Sequence, residues 1–105
     1  MALKIWKFDL AVKPKQTLKL PESYTIMDVQ VLHGKPCAWI LCEEIQEEDV
    51  PNLQDVIIDF HGTGHDLPEN PGEYITSFQA QDGNLMVHVF VGTEPEPAEV
   101  EIVEP

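Results

Sequence analysis

Ile26-Met27-Asp28-Val29-Gln30-Val31-Leu32, His33-Gly34-Lys35-Pro36 and Cys37-Ala38-Trp39-Ile40-Leu41-Cys42 follow one another without a gap, and their pattern decides the fold. The first run alternates: Met27, Val29 and Val31 fall on one face, Asp28 and Gln30 on the other, as in a half-wet strand. The middle four residues read as a turn. The third run is apolar on both faces, as a central, doubly covered strand is. Together they predict a hairpin.

The same period of two extends outward from this hairpin. Trp6, Phe8 and Leu10 alternate with Lys7 and Asp9. Thr17-Leu18-Lys19-Leu20 is a short strand stopped by Pro21. Val56 to Phe60 is another. Tyr74 to Gln79 and Leu85 to Val91 form a second hairpin across Gln81-Asp82-Gly83-Asn84, where Asp-Gly supplies the positive φ of a tight turn. Glu43 to Gln54 reads as an acidic surface loop, with room for a helical turn around Glu44 to Asp49. Six or seven short strands predict an all-β domain, a small antiparallel sandwich or open barrel. Trp6, Trp39, Ile58, Phe60, Phe78, Val87 and Phe90 are its expected core.

The chain has 105 residues and is 43% hydrophobic, enough for one modest core. The expected compact domain is 1–92. From Thr93 the chain turns to proline and glutamate, and 93–105 reads as an extended acidic tail that could add an edge strand or engage a partner. No apolar run approaches the ~18 residues of a membrane span. Lys4, Lys7 and Asp9 interrupt any signal-peptide core, so the expected location is cytoplasmic. Cys37 and Cys42 are five apart, on opposite faces of one strand, and are expected to be reduced.

The net charge is −13, unevenly spread. All six basic residues are lysines at or before position 35, where only Asp9, Glu22 and Asp28 oppose them. The remaining 70 residues hold 16 acids and no lysine or arginine. That field disfavours direct nucleic-acid binding, which needs cations to release counterions. It suits solubility, or a partner with a basic face.

Chemistry is expected first at His61-Gly62-Thr63-Gly64-His65. Alternate glycines let a backbone turn so that its N–H groups converge on an anion. The segment lacks the Lys-Ser/Thr ending of a phosphate-binding loop. The glycines also oppose the helix on which a His-x-x-x-His pair would hold zinc, so neither metal nor cofactor is implied. Tyr74 and His88 complete the candidate ligand-binding set: one can stack on a planar ligand, the other can wall a cleft. No nucleophile, base and orienting group stand in a recognisable order.

Ile5-Trp6-Lys7-Phe8, Val29-Gln30-Val31, Gly34, Pro36 and Trp39 come in a fixed sequence with Gly62-Thr63-Gly64-His65, Tyr74-Ile75, Thr76-Ser77-Phe78-Gln79 and His88-Val89-Phe90. In this order of motifs the chain resembles a family of small uncharacterised bacteriophage and bacterial proteins, over roughly Ile5 to Val91. The resemblance carries no catalytic residues. It implies an accessory protein in the host cytoplasm that interferes with a host defence, by occupying a host protein or by sequestering a nucleotide-derived signal. An acidic interaction protein or DNA mimic is the second reading, and a small hydrolase or metal-binding protein using His61, His65 or His88 the third. Edge strands of a small sheet also make a homo-oligomer an expectation.

Overall fold

A computed structural model describes residues 2–95. Seven strands run in chain order: β1 (Leu3–Asp9), β2 (Lys15–Leu20), β3 (Thr25–Leu32), β4 (Lys35–Glu43), β5 (Gln54–Gly62), β6 (Glu73–Ala80) and β7 (Leu85–Val91). They form two antiparallel sheets, ordered β1-β4-β3 and β2-β5-β7-β6. The fold is the expected small all-β architecture. The one helix among the described residues is a 3-10 segment, Glu47–Asn52, slightly later than the turn expected from sequence and without a buried residue. Among the described residues no helix is long and apolar enough to cross a membrane.

Inner faces meet in one cluster. Val29, Ala38, Ile40 and Cys42 come from the three-stranded sheet; Val56, Ile58, Phe78, Val87 and Val89 come from the four-stranded one. β4 is central in its sheet, as its apolar sequence requires, and pairs with both β1 and β3. β3 and β6 run side by side without a ladder, so the two sheets approach a half-barrel with its seam there. The β3–β4 turn is two residues, His33 at φ 51° and Gly34 at φ 80°, the twist that tight hairpins demand. In the β6–β7 turn Gln81, Asp82 and Gly83 all take positive φ.

Two expectations need correction. Simple alternation puts Met27 on the Val29 face, but a bulge between Ile26 and Asp28 inserts it as an extra residue. Ile26 and Val29 therefore share the inner face, while Met27 is exposed. Trp39 and Phe90 are expected in the core and lie outside it. Trp39 shares the parity of Cys37 and faces outward beside Lys7 and Asp28; Phe90 faces outward on the other sheet, against His61 and Tyr74. At the start of the expected tail, Thr93 Oγ1 donates to the Asn70 carbonyl (3.1 Å) and Lys15 Nζ donates to the Glu94 carbonyl (3.1 Å). The rest of that expectation falls on 96–105, outside the described residues.

Two buried polar residues, Gln16 and Asp59, are held in place. The Gln16 amide accepts from Ala11 N (2.8 Å) and donates to Ala11 O (2.9 Å), fastening the β1–β2 loop. Asp59 is 4% exposed and pairs with Lys15 at 2.9 Å. Cys37 and Cys42 are free and buried on opposite faces of β4. Burial pushes both thiols above their ordinary pKa; a hydrogen bond to Asp9 adds to this at Cys37, and the Glu43 charge at Cys42. A raised thiol pKa contributes stability that is whole below the ordinary thiol range and is lost as pH rises through the raised value. Iodoacetamide at pH 7.5 is therefore expected to label neither cysteine in the native protein and both in urea, read by intact mass. Ile58→Ala, at a fully buried position, is expected to cost about 3 kcal/mol in urea unfolding.

Candidate functional site

β5 runs out of its sheet at Gly62 into a four-residue turn. His65 N donates to the Gly62 carbonyl (3.1 Å) and Gly64 sits at φ 88°, the third-position geometry for which glycine is favoured. Thr63 N donates to the Met86 carbonyl (3.2 Å). Two of the turn's amides are thus spent on the fold rather than aimed at a common point. Gly62 has a different reason: a Cβ there would meet the His65 ring at 3.0 Å, so the missing side chain is what lets the imidazole fold back over the strand.

Alternation then splits the sequence-predicted residues between two surfaces. Gly62 and His65 border a cleft between the sheets, while Thr63, Tyr74 and His88 lie on the outer face of the four-stranded sheet. Gly64 shapes the turn. His61 stands between the two surfaces: it borders the cleft, and its ring meets Phe90 edge-on at 5.5 Å. Its Nε2 is buried without a hydrogen-bond partner among the described residues.

On the outer face the polar groups form a chain. Tyr74 OH lies 2.8 Å from Ser77 Oγ, Ser77 Oγ 2.8 Å from His88 Nδ1, and His88 Nε2 2.8 Å from Thr63 Oγ1. Thr63 Oγ1 lies 3.5 Å from the Met86 carbonyl. One direction of donation satisfies all of them. Tyr74 donates to Ser77, Ser77 to His88 Nδ1, His88 Nε2–H to Thr63, and Thr63 to the carbonyl. Both ring nitrogens of His88 are engaged, so neither is presented to a metal. No cluster of three or more metal-ligating side chains exists among the described residues. Ser77 donating to an imidazole is half of an activated nucleophile. Ser77 itself lies in the middle of the β6–β7 ladder, opposite His88.

The cleft has a volume of about 930 Å³. It opens at the end of the sandwich where the β1–β2 loop, the β3–β4 turn and the β6–β7 turn gather. Val31, Phe60, Phe78, Ala80, Leu85 and Val87 make its apolar walls. Lys13, His65, Asp66, Gln79, Gln81 and Asp82 supply its polar groups. Phe60 and Phe78 meet edge to face, 5.4 Å between centroids. Of this wall, sequence pattern assigns Phe60, Phe78 and Val87 to the core and singles out no cleft. Ser77 is also readable: counting back from Ala80 and forward from Leu85 across the turn sets it opposite His88.

Residues 1–100 match the family described as "Domain of unknown function (DUF7352)". No curated protein and no solved structure matches the chain.

Ser77→Ala leaves His88 Nδ1 and the Tyr74 hydroxyl without their shared partner. A loss of about 1–2 kcal/mol is expected in urea unfolding, with the fold retained. Gly62→Ala should make the His65 ring give by a few tenths of an ångström, read as a shift of its imidazole NMR signals with little change elsewhere.

Proposed function

Since the chain belongs to the DUF7352 family, whose description assigns no activity, we propose from its geometry that the protein is a non-enzymatic binding protein and that the cleft is where its ligand sits. One observation carries this reading: an apolar cleft of about 930 Å³ stands at the mouth of a β-domain small enough for side chains to fill it. Aromatic edges, aliphatic walls and a few convergent polar groups are what a small planar ligand requires.

The ligand class we propose is a nucleotide-derived molecule with few phosphates. Its base would lie against Phe60 and Phe78, its edge would be read by the Gln81 amide, and its phosphate would face outward toward Lys13 and His65. Asp66, Asp82 and the net charge of −13 oppose a heavily charged ligand. The phage resemblance supplies the context: sequestering such a signal in the host cytoplasm would blunt a host defence. A second reading, occupation of a basic host protein, is favoured by the acids at Glu43, Glu44, Glu47, Glu48 and Asp49, which cluster on and before the 3-10 segment.

Isothermal titration and thermal shift against nucleosides, nucleoside monophosphates and cyclic dinucleotides test the first reading. Val31 is 39% exposed on the cleft wall, so Val31→Glu should preserve the fold. It is expected to weaken binding at least tenfold, about 1.4 kcal/mol. No heat with any of the panel would remove the nucleotide ligand; failure to take up a neutral apolar dye as well would remove the cleft.

A further inference from the structure

Two sheets have four edges, and three are guarded. β3 and β6 lie against each other, and each carries a bulge, at Met27 and at Ile75. β2 has six residues, lies between Pro14 and Pro21, and has Lys15 and Lys19 committed to Asp59 and Asp55. β1 differs. It is seven residues long with no proline, and its register against β4 is unbroken from Leu3 to Asp9. Leu3 and Ile5 project from its outer face, 51% and 57% exposed. Among the described residues no strand pairs with its other edge. A long, regular, partly apolar edge is a template for another strand.

We propose that β1 is a homodimer interface in which it pairs, antiparallel about a two-fold axis, with β1 of a second copy to form one six-stranded sheet. The register follows from the sequence. Residues directly opposite in an antiparallel pair share a face, so only pairings that match inner residues (Lys4, Trp6, Phe8) with inner ones keep both cores on one side. Centring on Ile5 leaves five pairs. Centring on Lys4 or Lys7 sets two ammonium groups face to face, which is destabilising. Centring on Trp6 uses all seven residues and opposes no like charges: Leu3 faces Asp9, Lys4 faces Phe8, and Ile5 faces Lys7 of the second copy. The lysines that would repel in other registers therefore favour this one. Trp6 also stands at the axis with its indole N–H buried and without an acceptor among the described residues. Seven paired residues make a contact about 23 Å long, below the standard interface size, so a micromolar dimer is expected. None of this rests on the cleft.

Sedimentation equilibrium of the full chain between about 5 and 500 μM tests the proposal. Ile5→Lys places a second ammonium group opposite Lys7 of the other copy, twice per dimer, and is expected to raise the dimer Kd at least tenfold. Adding Lys7→Glu turns both clashes into ion pairs and is expected to restore the Kd to within threefold. Both side chains lie on the outer face, and far-UV circular dichroism checks that each variant stays folded. A monomer at 500 μM, a dimer indifferent to Ile5→Lys, or no rescue by Lys7→Glu each overturns it. Failure of rescue alone would specifically exclude the Trp6-centred register.

Discussion

The two sheets share no ladder, so what holds them together is the burial of their inner faces against each other. Ala38 and Ile40 on one side, Ile58 and Val89 on the other, are wholly removed from water. Apolar burial is non-directional and scales with area, so it fixes that the sheets pack more firmly than how they meet at their ends. The ends are where specific polar ties appear. Gln16 clasps both backbone groups of Ala11, Phe60 N donates to the Pro14 carbonyl (2.8 Å), and Lys15 joins buried Asp59 to the chain beyond β7. These ties brace the β1–β2 loop across the sandwich mouth without filling it. The cleft is thus a consequence of construction: the β1–β2 loop is fastened to β5 while the apolar core stops short of the turns.

Strand identities are legible because period two is local. β4 announces itself in Cys37 to Cys42, and the second hairpin in its Asp-Gly turn. Counting alone assigns the two cysteines to opposite faces, and they lie there. What counting cannot see is an inserted residue. One bulge at Met27 hands the inner face from Ile26 to Val29, and another displaces Ile75 in β6. In each case every residue on the near side of the bulge changes face relative to simple alternation, which is why Met27 departs from its expected face. Trp39 and Phe90 depart for another reason. Hydrophobicity says that an aromatic ring is covered, not by what, and both are partly covered on outer faces.

The candidate site shows the same boundary between local and non-local information. His61, Gly62, Thr63, Gly64 and His65 are contiguous, so they read as one site. A chain leaving a strand sends successive side chains to opposite sides, and this one divides its residues between an outer polar chain and an inner apolar cleft. Tyr74 and His88 are joined through Ser77, whose partnership is set by hairpin register. The cleft walls come from β3, β5, β6 and β7, four segments that sequence spacing does not bring together.

That division also weighs the two surfaces against each other. On the outer face every hydroxyl and both nitrogens of His88 can be satisfied by one another, and a satisfied network gains little from a ligand that must first break it. In the cleft the walls are aliphatic and aromatic, and such surface exposed to water is what ligand binding can bury at a gain. The polar chain is better understood as what makes a sheet face with Phe90 and Tyr74 on it tolerable in water. The two glycines then have separable roles. Gly64 turns the chain so that Thr63 can close the network, and Gly62 makes room for His65 at the cleft. The surface on which the proposed binding rests is therefore the one left unfilled, not the one richest in reactive side chains.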